Sequence, residues 1–133
     1  MAFVVDNSVV IGWLLPAQAT AYTRRILERV RREQLIVPSL WPVELANVMI
    51  VRQRRGAMTA AQIHAALQRV QRLGIAIDDE PVAPESLFAI GERHGLSAYD
   101  AAYLELAQRR GVPLATGDEG LKRAARAAGV FLP

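Results

Sequence analysis

Two histidines and no cysteine leave the polar chemistry of this chain to its carboxylates and arginines. Four acids stand where an α/β chain would present them together. Asp6 closes the apolar run Phe3-Val4-Val5. Glu44 falls in the first turn of a helix opened by Pro42, Asp100 in the first turn of a helix opened by Ser97, and Asp118 beyond a fourth strand, across Thr116 and Gly117. Each has a structural reading: Ser97 to Asp100 fits a capping box, Asp118 fits an N-cap, and Glu44 complements a helix dipole. Asp6 resists such a reading, because a carboxylate ending a buried strand needs a compensating partner. If all four carboxylates converge at about 5 Å, each pair repels by roughly 3 kcal/mol at an effective dielectric of about 20. Six pairs then total roughly 20 kcal/mol, above the usual net stability of about 5–15 kcal/mol. Protonation, separation or a cation must relieve that repulsion. Hard oxygen donors without Cys or His suit Mg²⁺ or Mn²⁺ rather than zinc. A carboxylate cage with open positions suits attack of activated water on a phosphodiester.

The elements that must position these acids follow from hydrophobic runs and punctuation. Strands are predicted at residues 3–5, 35–37, 75–77 and 112–115, with a fifth at 130–132. Helices are predicted from a Ser8 cap to Leu15, over 20–33 with a Glu28–Arg32 pair, and over 42–55. Further helices are expected from Thr59 to Leu73, over 84–94, from Ser97 to before Gly111, and over 119–128. Short apolar strands alternating with helices demand parallel pairing with both faces covered. The expected fold class is therefore α/β: a three-layer sandwich, a five-stranded parallel sheet with helices on both faces, in one domain spanning 1–133. In such sheets, sites form beyond the carboxyl ends of the strands, near a switch in strand order.

With 133 residues, 52% of them apolar, the chain can bury a core of its own and is not a disordered tail. No apolar stretch reaches the ~20 residues of a membrane span, and the N-terminus lacks the basic flank of a signal peptide. We expect a cytoplasmic protein without membrane contact. The net charge is +3, and all but one of the 16 basic residues are arginines, which permits a polyanionic partner. Arg52, Arg54 and Arg55 cluster at the end of the Glu44 helix, placed either to grip the phosphates of a polyanion or an acidic segment, or to complement a helix end. Arg24, Arg25, Arg29, Arg31 and Arg32 alternate with Glu28 and Glu33 and read as a solvated face. The 42–55 helix is apolar around nearly its whole circumference, which suggests a second buried surface, either a homodimer interface or a groove for a partner helix. Trp13 and Trp41 either line that groove or anchor the core. His64 and His94 read as surface or helix-end residues.

The segments Val4-Val5-Asp6-Asn7-Ser8, Pro42-Val43-Glu44-Leu45-Ala46-Asn47, Ser97-Ala98-Tyr99-Asp100-Ala101-Ala102-Tyr103 and Ala115-Thr116-Gly117-Asp118 resemble, in order, the motifs of the PIN-domain family. In length and order they are most similar to the VapC-type ribonuclease toxins of toxin–antitoxin pairs. The resemblance covers essentially the whole chain. It implies Mg²⁺- or Mn²⁺-dependent hydrolysis of RNA, with Asp6, Glu44, Asp100 and Asp118 as the catalytic acids. Asp6, Asp100 and Asp118 would contact the metal, and Glu44 would orient water. Ser8, Asn47 and Thr116 would support the cluster by hydrogen bonds. It also implies a cognate antitoxin and a homodimer. Gly120 stands where many relatives carry a further acid, which puts a filled second metal position in doubt.

Two rival readings have discriminating features. A phospho-receiver domain would want paired acids after the first strand and a lysine ending a late strand. Asp6 stands alone, and Lys122, the only lysine, falls inside a helix. A catalytically silent RNA- or protein-binding module would use the arginines and the apolar helix, with its acids serving only as caps.

Overall fold

The computed structural model describes all 133 residues. Four parallel strands form one sheet in the order β3-β2-β1-β4: β1 Ala2–Val5, β2 Gln34–Pro38, β3 Ala76–Asp78 and β4 Leu114–Ala115. Phe3 lies opposite Leu35 and Val4 opposite Ile36 on one side of β1, while Val4 and Val5 face Leu114 and Ala115 on the other. The side chains of Phe3, Val4, Val5, Leu35, Val37, Leu114 and Ala115 are all buried, as expected of central parallel strands covered on both faces.

The expected fifth strand is not formed. Val130 to Leu132 lies beside β4, but only one parallel bridge, Leu114 to Phe131, links them. β4 itself is two residues long, and Pro113 just before it has no N–H to donate. The sheet therefore has four strands rather than five.

Seven α-helices connect and cover the strands: α1 Asn7–Leu14, α2 Ala21–Arg29, α3 Trp41–Arg54, α4 Ala60–Gln71, α5 Pro84–His94, α6 Ala98–Arg110 and α7 Glu119–Ala127, with a 3₁₀ turn at Pro16–Gln18. α1 packs on α2, α3 and α4, whereas α6 packs on β1, β2, α5 and α7. Right-handed crossovers explain the two sets. The chain steps β1 to β2 to β3 in one direction, then returns past β1 to β4, so the later helices fall on the opposite face. Gly12 permits the close approach of α1 to α2, since a Cβ there would lie 2.6 Å from the Thr23 methyl.

Local signals differ from expectation in instructive ways. Thr20 and Thr59 open their helices with full capping boxes. Asp6, not Ser8, is the N-cap of α1. Arg29 pairs with Glu33 at 2.8 Å, in place of Glu28 with Arg32, because α2 ends at Arg29 and the turn beyond it brings Glu33 back. Trp41 is buried in the core, and Trp13 donates its indole N–H to the Thr23 carbonyl at 2.7 Å. His64 is exposed beside Gln68, and His94 ends α5.

Candidate active site

The strand order reverses between β1 and β4, and the crevice beyond their carboxyl ends is where open parallel sheets bind ligands. Asp6 sits there, 5% exposed. Its carboxylate accepts hydrogen bonds from Ser8 Oγ (2.5 Å) and the Val9 N–H (3.3 Å) on one oxygen, and from Thr116 Oγ1 (2.6 Å) on the other. Ser8 Oγ in turn accepts from the Gly117 N–H at 2.8 Å, and Thr116 Oγ1 from the Asp118 N–H at 3.0 Å. These hydroxyls stitch the end of β1 to the loop after β4. Asp118 caps α7, accepting from the Leu121 N–H at 2.8 Å. Ser97 caps α6 by accepting from the Asp100 N–H at 3.2 Å. The reciprocal bond of a capping box is not made there, so the Asp100 carboxylate stays free of its own helix end. On α3, Glu44 accepts from the Tyr103 hydroxyl at 2.6 Å.

The electrostatics join these four acids into one neighbourhood. Burial pushes the Asp6 carboxyl up from an ordinary 3.8 to about 6, against three hydrogen bonds that lower it, and the charge of Asp100 adds to the rise. Asp100 is raised by burial first, then by the charges of Asp118 and Glu44. Burial and the Glu44 carboxylate also hold the Tyr103 phenol far above its usual range, so it remains a donor. No arginine or lysine forms an ion pair with any of the four.

Convergence into a ready-made cage is not observed: no three acidic or histidine side chains are placed to hold one ion. Each carboxylate is restrained locally, Asp6 and Asp118 as caps of α1 and α7 and Glu44 by Tyr103, while like charge favours separation. The donor set nevertheless fits a hard divalent cation. It offers carboxylate oxygens from four elements, two of them (Asp6 and Asp100) raised by burial and by neighbouring charge, and none in an ion pair with a basic side chain. Both side-chain amide atoms of Asn7, the neighbour of Asp6, are shielded from solvent without a partner.

The supporting residues divide. Ser8 and Thr116 both donate hydrogen bonds to Asp6. Asn47 is exposed and forms no hydrogen bond with any of the four acids; it faces a shallow groove of about 340 Å³ shared with Arg52 and Arg55. Arg54 is exposed near the end of α3. Sequence reasoning did not single out Tyr103 as the partner of Glu44. Spacing put Tyr103 on the helical face of Asp100, three residues on, but gave no pointer to Glu44 on another helix. Gly120 leaves room beside the cluster: a Cβ there would lie 3.4 Å from the Asp118 carboxylate.

A parallel α/β sheet with acids grouped at its switch point defines a class of carboxylate-site α/β domains. Within that class, the PIN domain model matches residues 3–127, and the chain belongs to the PIN domain family. It is 30% identical over 126 residues to a protein of Mycobacterium tuberculosis named Ribonuclease VapC3, covering 91% of this chain and 85% of that one. A protein of the same name from Pyrobaculum aerophilum is 28% identical over 123 residues, covering 91% and 92%. Two solved structures share the fold. PAE2754 from Pyrobaculum aerophilum superposes with a TM-score of 0.70 at 18% identity, covering 93% of this chain and 84% of that one. FitAcB from Neisseria gonorrhoeae superposes with a TM-score of 0.58 at 20% identity, covering 93% of each.

Proposed function

We propose that this chain is a Mg²⁺- or Mn²⁺-dependent endoribonuclease, the toxin of a toxin–antitoxin pair, acting as a single cytoplasmic domain over 1–133. The observation that supports the reading is electrostatic: Asp100 feels the charges of Asp118 and Glu44, Asp6 feels that of Asp100, and none of the four forms an ion pair with a basic side chain. The relatives named as ribonucleases support the substrate class.

In this reading Asp6, Asp100 and Asp118 hold the divalent ion, and Glu44 orients the attacking water. Ser8 and Thr116 fix both oxygens of Asp6, so its lone pairs point in set directions before substrate arrives. Tyr103 fixes Glu44 in the same way. A divalent ion held there would supply a Lewis acid that activates water and offsets phosphate charge. The products are a 5′-phosphate and a 3′-hydroxyl, without a covalent intermediate. Gly120 contributes no ligand, so one ion position is better furnished than two. Arg52 and Arg55, in the groove on α3, are placed to contact RNA phosphates or an acidic antitoxin segment. Val43, 72% exposed, and Ile50, 44% exposed, leave α3 an uncovered apolar strip for a second copy or the antitoxin.

The test is incubation with RNA in Mg²⁺, in Mn²⁺ and in chelator, with Asp6→Asn alongside. Cleavage should require the ion and vanish in the variant while the fold persists. The cap roles of Asp6 and Asp118 favour a second reading, the silent binding module. That reading predicts binding without cleavage in every arm.

A further inference from the structure

The arginines of α2 and the turn after it form more than a solvated face. Arg25, Arg29, Arg31 and Arg32, with Glu28 and Glu33, line a cleft of about 480 Å³. It lies at the amino end of β2, remote from the carboxylates. Within it the Nε of Arg29 and the Oε2 of Glu33 are both shielded from solvent without a partner, while the terminal nitrogen of Arg29 binds the other Glu33 oxygen at 2.8 Å. Four guanidinium groups against two carboxylates leave the cleft cationic, which suits an anionic ligand.

A second feature joins this cleft to the carboxylate end. The rings of Tyr22 and Phe131 stack with centroids 6.2 Å apart and planes 15° from parallel. The guanidinium of Arg25 lies 5.3 Å from the Tyr22 ring centre, and that of Arg126 lies 5.0 Å from the Phe131 ring centre. The Tyr22 hydroxyl donates to the Leu132 carbonyl at 2.7 Å, which locks the pair. Burial raises the Tyr22 phenol to about 12, and the charge of Asp6 contributes, so this ring lies within electrostatic reach of Asp6. From Tyr22 to Arg29, α2 descends about 10 Å toward the cleft.

We propose that this strip, from the Tyr22–Phe131 stack to the arginine cleft, binds a single-stranded segment of the RNA substrate outside the carboxylate site. Half-buried aromatic rings with guanidinium groups beside them suit unpaired bases at their open edges, and the arginines suit the phosphates between them. An acidic protein segment would use the arginines but not the rings. The inference rests on the RNA reading of the carboxylate site.

The test replaces Arg25, Arg31 and Arg32 with alanine together, with Arg93→Ala on α5 as a charge control. Binding of a long single-stranded RNA is followed by fluorescence anisotropy in chelator across a salt series, so it does not depend on cleavage. The triple variant should bind about tenfold or more weakly, with the salt slope reduced by about 2, as three lost phosphate contacts dictate. Its melting temperature and its metal-dependent cleavage of a trinucleotide should match those of the parent. Unchanged long-RNA affinity and slope in a folded variant overturns the proposal. So does a variant that keeps RNA binding but loses binding to polyglutamate, which would assign the cleft to an acidic protein. Absence of trinucleotide cleavage by the parent itself counts against the nuclease reading alone, since the anisotropy arm still reads the strip.

Discussion

Two groups of acids in this molecule meet opposite fates. At the edge of the sheet, Asp78 binds Arg109 at 3.0 Å and Arg110 at 3.1 Å, and Arg109 also binds Glu80 at 2.7 Å and Glu105 at 2.6 Å. The Arg109 guanidinium holds the Asp78 carboxyl below its ordinary range. At the switch point, Asp6 and Asp100 are raised, with no cation of the protein's own nearby. The first group is neutralised by the fold and needs nothing further. The second has two carboxylates raised by burial and neighbouring charge and no ion pair of its own, a condition in which an external cation has most to gain.

The sharpest way to break this contrast is Asp6→Asn. Cleavage of RNA should fall more than about 100-fold, since even residues that merely support a metal ligand commonly cost about 10–100-fold. A gel or fluorogenic assay at saturating Mg²⁺ reads it, and full activity in the variant would remove Asp6 from the site. Tyr103→Phe should follow, at about 10-fold to 100-fold, by freeing Glu44. Near-parental melting of that variant separates positioning from folding.

Stability should sharpen the contrast through pH. The folded pKa of Asp6 is raised, so its contribution is fully present below about 3.8 and is lost as pH rises through about 6. That loss is at most about 3 kcal/mol, and Asp6→Asn should recover roughly 1–3 kcal/mol at pH 8 in chelator. Asp78 is lowered, so its contribution is present above 3.8 and lost on further acidification. Denaturant titration in chelator should show the first limb, and saturating Mg²⁺ should flatten it. Smallest is Arg109→Ala, expected to cost about 1 kcal/mol while leaving activity per folded molecule unchanged. A large loss of activity there would merge the two groups.

Much of the architecture was legible because its signals are local. Phe3-Val4-Val5 and Leu35-Ile36-Val37 read as buried strands, and Thr20, Thr59 and Ser97 each mark a helix start that the structure keeps. The expected fifth strand pairs with β4 at Leu114 alone, through Val130 and Leu132 at 2.7 and 2.9 Å, and the two-residue β4 carries the pairing no further. Ser8 was misread as a cap because Asp6 competes for the same N–H groups and wins the Val9 bond. The bond from Tyr103 to Glu44 spans 59 residues, and no spacing rule within one element reaches that far.

The chain's order of strands, caps and acids thus determined a parallel α/β fold with four carboxylates at one end, since each depends on hydrophobic period or on neighbours a turn away. Only the folded packing decided that Asn47 stays apart from the acids, that Glu44 leans on Tyr103, and that four arginines share a cleft with a stacked aromatic pair beside it. Such pairings join segments far apart along the chain, and their energies exist only once burial has removed water and set the distances.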